Sequence, residues 1–242
     1  MKSISRNKET AYKGAIGNKR ESFCIEYIEK KKGILEQMQA YQFKTASQNG
    51  ETISCRKGCS HCCLAYMQAS VQECEAIVYY LYRNEPALSA FLDNYTEWRQ
   101  KLRRNGDIFK ECGQLWQNKA NPGASAGEHS ACNESENKYR RQNIYCPFLL
   151  GELCLIYQVR PFTCAALVAT TPPQWCHPSS PNRAKTYVTR TPAVIDNSFY
   201  YRKIRGTVLA FMPLVVYGIL KDGYKLLSKI PGLAGLEEAA KK

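Results

Sequence analysis

The spacing of apolar and polar positions along the chain is mostly helical. From about Lys19 to Gly50, apolar residues recur every ~3.5 positions, and Asn49-Gly50 ends the run. The apolar positions of this run are Cys24, Ile28, Leu35, Met38 and Tyr41. Because this period places them on one face, the stretch predicts a long amphipathic helix.

Three further helices are predicted before residue 118. Ser70 followed by Glu73 is the capping-box pattern that begins a helix. Pro86 is typical of the first turn of the next helix, and Asp107 can cap a third. The positions expected in the core of these helices are Val71, Cys74, Ile77, Val78, Leu81, Leu88, Phe91, Leu92, Tyr95, Trp98, Leu102, Phe109, Cys112, Leu115 and Trp116.

The pattern changes at residue 118. Residues 118–143 are small, polar and without a period, so we expect a solvent-exposed insertion. Two short apolar runs then flank a turn at Gly151-Glu152. They predict a small hairpin that carries Cys146 on one arm and Cys154 on the other.

Helix is expected to resume after Tyr187, with Asp196 or Asn197 as its cap. The apolar run at 208–220 contains Pro213 and is shorter than the ~20 residues that span a bilayer. We therefore expect a buried core helix and no transmembrane segment.

These patterns predict a mainly α fold in which a small irregular hairpin and loop region carries the cysteines. The chain has 242 residues and a hydrophobic content of 44%, enough for one large domain with a real core. We expect a helical domain over 21–220, with 118–143 as its exposed insertion. A basic flexible arm at 1–20 and a peripheral tail at 221–242 would flank it.

The chain is basic, with a formal net charge of +13. Residues 1–20 hold six Lys or Arg against one Glu. Such a stretch suits a solvated arm or a nucleic-acid contact, and the solvated arm is the simpler account. The same residues lack the apolar core of a signal peptide, so we expect a cytoplasmic location.

Twelve cysteines in a reducing compartment favour metal binding over disulfides. Four of them lie in the nine residues Cys55-Arg56-Lys57-Gly58-Cys59-Ser60-His61-Cys62-Cys63. In a helical turn these thiols would share one face. Four unneutralised thiolates repel one another, and a cation would remove that cost. The vicinal pair then serves either two centres or one centre with a spare thiol.

Eight of the twelve cysteines are candidate metal ligands, because Cys24, Cys74 and Cys112 lie on apolar stripes and Cys132 lies, with His129, in the polar insertion. The eight are Cys55, Cys59, Cys62, Cys63, Cys146, Cys154, Cys164 and Cys176. Two groups of four suit two tetrahedral sites or one larger cluster. Zinc and iron–sulfur centres both accept four thiolates, so the count leaves the metal open.

Charged and polar neighbours suggest a second layer around such a centre. Four thiolates on a divalent ion leave an excess negative charge, which the Arg160 guanidinium can offset while donating hydrogen bonds to sulfur. A surface salt bridge is the alternative role for Arg160. His61 and His177 flank candidate ligands, and a role outside the ligand set is expected for both.

The cysteine pattern resembles the YkgJ-like cysteine-cluster family, whose members are described as zinc- or iron-chelating proteins. The resemblance lies in CRKGCSHCC (55–63), CPFLLGELCLIYQVRPFTC (146–164) and TTPPQWC (170–176), about half of the chain. It implies that the eight cysteines hold the metal, with Tyr157, Arg160 and Pro161 beside them. Members often carry an arginine where this chain has Ala165.

Other functions use the same residues. Flagellin lysine N-methylases are partly similar in cysteine pattern, so an iron–sulfur-dependent enzyme of methyl transfer is the alternative function. Cys55, Cys59 and Cys62 also match the spacing of radical S-adenosylmethionine enzymes, but no βα repeat accompanies them. A dithiol redox pair at Cys59 and Cys62 would leave six thiols unexplained.

Two further functions have weaker support in the sequence. Gly123-Ala124-Ser125-Ala126-Gly127 matches a nucleophile elbow, but its flanks lack the required strand. A basic zinc module on nucleic acid would show strongly salt-dependent binding. The expected partners are therefore a metal ion and an undefined protein, with nucleic acid as the weaker possibility.

Overall fold

The computed structural model describes residues 18–119, 123–189 and 209–222. The predicted arm at 1–20 lies outside these residues up to residue 17, and the predicted tail lies outside them from residue 223. The predicted helix start at Asp196 or Asn197 also lies outside them.

The described part of the chain is mainly α, as the sequence predicts. Its α-helices are α1 (Asn18–Gln48), α2 (Val71–Arg83), α3 (Glu85–Arg104), α4 (Gly106–Lys119), α5 (Ala126–Arg140), α6 (Phe162–Ala166) and α7 (Met212–Asp222). Short 3-10 helices lie at His61–Leu64, Tyr157–Val159 and Pro173–Cys176. The short helices and the strands lie mainly in the segments that carry the candidate ligands.

The predicted helix boundaries follow from local capping. The Ser70 side chain accepts a hydrogen bond from the Glu73 amide, and the Glu73 carboxylate accepts one from the Ser70 amide. The side chain of Asn84 accepts a bond from the Ala87 amide at the start of α3, and Pro86 lies in the first turn. These bonds satisfy amides that the helix itself leaves unpaired.

Three pairs of antiparallel strands connect distant parts of the chain. The pairs are β1 (Gln68–Ser70) with β6 (Leu209–Phe211), β2 (Leu149–Leu150) with β3 (Leu153–Cys154), and β4 (Leu167–Ala169) with β5 (Thr186–Val188). The β2–β3 hairpin turns at Gly151, where φ is +59°. The predicted hairpin is confirmed, although Cys146 lies just before its first strand.

The main core lies where α2 packs against α1, α3 and α7. Phe91 of α3 stacks on Phe148 beside the hairpin, with ring centroids 4.2 Å apart. Tyr66 stacks on Phe211 of β6 at 4.3 Å. Both contacts attach the cysteine-bearing loops to the helical core, so the loops are held by buried aromatic packing.

The structure differs from the prediction over 118–143, because α5 occupies residues 126–140. Cys132, predicted to be exposed, is fully buried, as is Ser135. Together with Tyr139 they form the face of α5 that turns inward, and α5 packs against α4. The apolar positions are too few to stand out, and the serine contributes no hydrophobic signal.

The apolar run at 208–220 also differs in part. Its first described residues form β6, and Met212 then begins α7. The Met212 amide donates a hydrogen bond to the Met67 carbonyl at 3.1 Å. Val216 and Ile219 of α7 are buried, so the predicted core helix is confirmed. Across the described ranges, no helix has the length and apolar character needed to cross a bilayer.

Candidate metal centre

The segment from Cys55 to Cys63 is not the helical turn that the spacing predicts. Residues 55–60 form a loop that turns at Gly58, where φ is +90°, and only His61–Leu64 is helical, as a 3-10 turn. The Cys59 amide donates to the Arg56 carbonyl at 3.1 Å across this turn. The thiols are therefore gathered by a tight loop, which lets them approach a common point from several directions.

Strand β4 fixes the start of this loop. The Ser54 amide donates to the Ala169 carbonyl at 2.8 Å, and the Ser54 hydroxyl donates to the Thr171 carbonyl at 2.6 Å. The Ala169 amide in turn donates to the Cys55 sulfur at 3.2 Å. Burial raises the pKa of Cys55, and this hydrogen bond from the Ala169 amide offsets part of that effect by stabilising the thiolate.

Seven of the eight candidate ligands line one cavity of about 130 Å³. They are Cys55, Cys59, Cys62, Cys63, Cys146, Cys154 and Cys164. Tyr157, Arg160 and Pro161, the other residues implied by the family resemblance, line the same cavity. The rest of its wall is largely apolar and includes Leu35, Met38, Phe43, Ile53 and Ile156.

The second cysteine group reaches the cavity through short backbone contacts. The Cys146 amide donates to the Cys63 carbonyl at 2.8 Å, which joins the two groups directly. Cys154 ends strand β3, and Cys164 lies in α6, two residues after Phe162. Residues far apart in sequence are therefore brought to the same wall.

A buried ion pair holds the loop before Cys164. Lys31 of α1 and Glu73 of α2 are 1% and 3% exposed, with Nζ 3.0 Å from Oε1. Lys31 also donates to the Val159 carbonyl at 3.3 Å, and Glu73 accepts from the Phe162 amide at 2.8 Å. This ion pair thus connects α1 and α2 to the backbone on both sides of Arg160. The apolar pattern of the sequence did not reveal it.

Cys176 is the predicted ligand that does not line the cavity. It ends the Pro173–Cys176 helix, which packs against His61–Leu64, and the rings of His61 and His177 are 6.1 Å apart. Its carbonyl accepts a 2.5 Å bond from Arg140. Cys176 therefore lies beside the first cysteine group, outside the main cavity.

The adjacent thiols of Cys62 and Cys63 differ in their pKa values. A hydrogen bond from Cys63 lowers the pKa of Cys62 to about 7. The same bond, together with burial, raises the pKa of Cys63 well above its ordinary value. One thiolate beside one thiol is therefore the favoured state of the pair without a cation.

Burial raises the pKa of most of the remaining thiols. It raises the pKa of Cys146 to about 12, with Cys154 adding to the effect, and it raises the pKa of Cys154 and of Cys164. Burial likewise raises the pKa of Cys55 and of Cys176. These sulfurs hold their protons at neutral pH unless a cation displaces them.

Two arginines supply positive charge to the site. Arg160 stacks on Tyr157 with its guanidinium carbon 3.9 Å from the ring centre, donates to the Tyr157 carbonyl at 3.1 Å and lines the cavity. Within the described ranges it forms no salt bridge, so the alternative role does not hold there. Arg140 of α5 adds its charge near Cys62 and Cys176. No pattern in the sequence indicated Arg140, because α5 itself was not predicted.

The sulfurs are near one another without forming a finished coordination sphere. Among the residues that the structure describes, no group of three or more His, Cys, Asp or Glu side chains is arranged to hold a metal ion. The chemistry of the donors fits a soft metal, because the wall is rich in thiols.

The chance match at Ser125 has a structural role: its hydroxyl accepts from the Glu128 amide at 3.2 Å, as the cap of α5.

Comparisons with protein-family models, with curated proteins and with solved structures find no match for this chain. The resemblance to the YkgJ-like family therefore stays a prediction, and the functional conclusion depends on the residues of the site.

Proposed function

We propose that this protein binds zinc or iron through the cysteines of the central cavity, and that the metal fastens the loops there to the helical core. The single observation that carries this proposal is that seven cysteines, from residues 55–63 and 146–164, line one cavity. Structural thiols are usually packed among apolar side chains, as Cys74 and Cys112 are in the helical core.

The protonation of the cavity supports the same proposal. Burial holds most of its thiols in the neutral form, and the pair at Cys62 and Cys63 favours only one thiolate. Zinc or iron would displace these protons and remove the repulsion among the sulfurs. Arg160 would offset the remaining negative charge at the cavity, and Arg140 would do so beside Cys176.

The eight cysteines of the prediction would supply the ligands, with Cys176 approaching from the side of the first group. A tetrahedral zinc site uses four sulfurs, and an iron–sulfur cluster also uses four, so eight allow two centres. When bound, such a metal would supply folding free energy, because its ligands come from separate segments.

An iron–sulfur-dependent enzyme related to the flagellin lysine N-methylases is the second candidate. The observation that favours it is space for a substrate beside the thiols. A second hollow of about 570 Å³ lies next to the cysteine cavity and shares Met38, Gln42, Ile53 and Val168 with it. A purely structural metal site needs no such neighbouring space.

Metal analysis with an absorption spectrum of anaerobically purified protein tests the proposal. We expect stoichiometric zinc in a colourless protein, or iron in a protein with sulfur-to-iron charge-transfer bands. Colour with acid-labile sulfide would favour the enzyme candidate over the structural site. Protein that remains free of metal after anaerobic reconstitution with each metal would contradict both candidates.

A matched pair of variants shows whether the cavity holds the metal. Cys62→Ala removes a thiol from the cavity wall, and Cys112→Ala removes a buried thiol of α4. We expect Cys62→Ala to lower the metal content and Cys112→Ala to keep it. Equal metal content in the two folded variants would place the site elsewhere in the chain.

A further inference from the structure

A third hollow, which is polar, is lined in part by Cys176. It has a volume of about 370 Å³ and lies between the C-terminal end of α5 and the loop at 175–184. Sites for small ligands in proteins commonly have volumes of about 300 to 1,000 Å³, so it is large enough for one. The family resemblance and the proposed metal site give this hollow no role.

The charge of the hollow is strongly one-sided. Arg140, Arg141 and Arg183 line it, and none of its lining residues is Asp or Glu. Within the ranges that the structure describes, none of the three guanidinium groups pairs with a carboxylate. Three unpaired cations around one cavity repel one another, and an anion between them would reverse that cost.

Neutral donors surround the same space. Asn137 and Asn182, which carry amide donors, line it together with Trp175. Arg140 is anchored through its bond to the Cys176 carbonyl, and its Nε–H is buried without a hydrogen-bond partner. The hollow is thus rich in N–H donors, which suit a ligand that carries several acceptor oxygens.

The end of a helix carries partial negative charge, which would oppose an anion here. In this case the last carbonyls of α5 already accept bonds. The Asn137 carbonyl accepts from the Arg141 amide, and the Lys138 carbonyl accepts from the Gln142 side chain. Three full charges therefore exceed the residual effect of the helix end.

We propose that this hollow between α5 and residues 175–184 binds a small phosphate monoester through Arg140, Arg141 and Arg183. Guanidinium groups bind phosphate oxygens in a bidentate manner, and a dianion matches a triply cationic hollow better than a monoanion does. The ring of Trp175 offers an apolar surface for the organic part of the ester. A volume of about 370 Å³ suits a small molecule better than a nucleic-acid backbone, which needs an extended groove.

Titration calorimetry on the full chain tests the proposal, with inorganic phosphate and phenyl phosphate as probes at constant ionic strength. We expect saturable binding at one site per chain, tighter for phenyl phosphate because of the apolar contact. Replacing Arg141 and Arg183 with glutamine together should weaken binding about tenfold or more, since each removes a charge-assisted contact. Benzoate, a monoanion of similar shape, should bind more weakly than phenyl phosphate.

The matched control replaces Arg103 and Arg104 with glutamine. Both are exposed in the last turn of α3 and lie outside the hollow, so the same net charge is lost. We expect this control to bind phenyl phosphate like the unchanged protein. Equal weakening by both pairs, or absence of saturable binding by either probe, would overturn the proposal.

The test also separates this site from other accounts. Binding of a short single-stranded oligonucleotide without binding of phenyl phosphate would overturn the assignment to a small ligand. The metal content of the Arg141→Gln, Arg183→Gln variant is measured alongside, and we expect it to be unchanged. If phosphate does not bind, the proposed metal site is unaffected. If the protein contains no metal but binds phenyl phosphate, the phosphate site is supported and the metal site is not.

Discussion

Lys31 has an unusual environment for a lysine, because its side chain is almost fully buried. Its ammonium group is buried between Glu73, the Val159 carbonyl and the ring of Phe162, 4.9 Å away. The desolvation of both charges offsets much of the attraction between them, so such a pair contributes little net stability. Its consequence is positional, because it holds the loop that carries Arg160 against two helices.

Removing one partner of this pair leaves a buried charge behind. We expect Lys31→Met to lower the free energy of unfolding by about 3 to 5 kcal/mol, because Glu73 loses its cation. Lys31→Met combined with Glu73→Gln should recover part of the loss, since an amide oxygen still accepts from the Phe162 amide. Urea unfolding followed by circular dichroism measures both variants.

Lys30 provides the matched control. Lys30 is adjacent to Lys31 in sequence but is exposed. It forms a surface ion pair with Glu26, which lies one helical turn earlier in α1. Lys30→Met should change the free energy of unfolding by less than about 0.5 kcal/mol. Similar losses from Lys30→Met and Lys31→Met would contradict the structural role given to the buried pair.

At the scale of elements, the loop at 55–60 shows how a turn replaces a helix. The spacing of the thiols fits a helical face, but Gly58 adopts a φ of +90°, which side-chain-bearing residues rarely adopt. The chain reverses there before the 3-10 helix at His61–Leu64. The turn therefore decides where Cys55 lies relative to Cys59.

Replacing Gly58 or Gly33 with alanine distinguishes the effect of backbone conformation from the effect of available space. Neither Gly58 nor Gly33 has an atom within 4 Å of an added Cβ, but Gly33 lies inside α1. We expect Gly58→Ala to destabilise by about 1 to 2 kcal/mol and to weaken metal retention. Gly33→Ala should stabilise by roughly 0.5 to 1 kcal/mol. Urea unfolding gives the two signs, and the same sign for both would contradict this account.

Helix α5 is the element that links the two proposed sites. Its inward face is buried through Cys132, Ser135 and Tyr139, and its last residue, Arg140, contacts the carbonyl of Cys176. A segment that sequence composition presents as a polar loop therefore carries a cation to the edge of the cysteine centre. Its own stability comes from the Ser125 cap and from packing on α4.

At the scale of the whole molecule, the helices and the cysteine loops have different sources of stability. The helices share a core of buried aromatic and aliphatic side chains around α2 and α3. The loops at 54–66 and 145–176 have little regular structure apart from short strands, 3-10 turns and α6, and they contact that core through a few side chains such as Tyr66, Phe148 and Ile156. Such loops are expected to open more easily than the helices unless a metal joins them.

Metal removal should therefore act locally. We expect chelation to increase amide hydrogen exchange in residues 54–66 and 145–176, while the buried positions of α3 around Phe91 and Trp98 remain protected. The comparison requires metal-loaded and chelator-treated protein at the same pH. Exchange that stays unchanged in both loops after complete demetallation would contradict the proposed role of the metal.

The sequence by itself determined the helical character of the chain and several helix boundaries, because these depend on local spacing, caps and breakers. The capping box at Ser70, the position of Pro86 and the turn at Gly151 are examples. The sequence also singled out the cysteines, since their density is visible without a fold.

Only the tertiary structure decided which of these groups meet. The burial of Lys31 with Glu73, the inward face of α5 and the approach of Arg140 to Cys176 all depend on contacts between segments far apart in the chain. Such contacts leave no local period, because a residue's burial is set by its neighbours in space. The same reason separates seven cysteines on the cavity wall from Cys176 beside it.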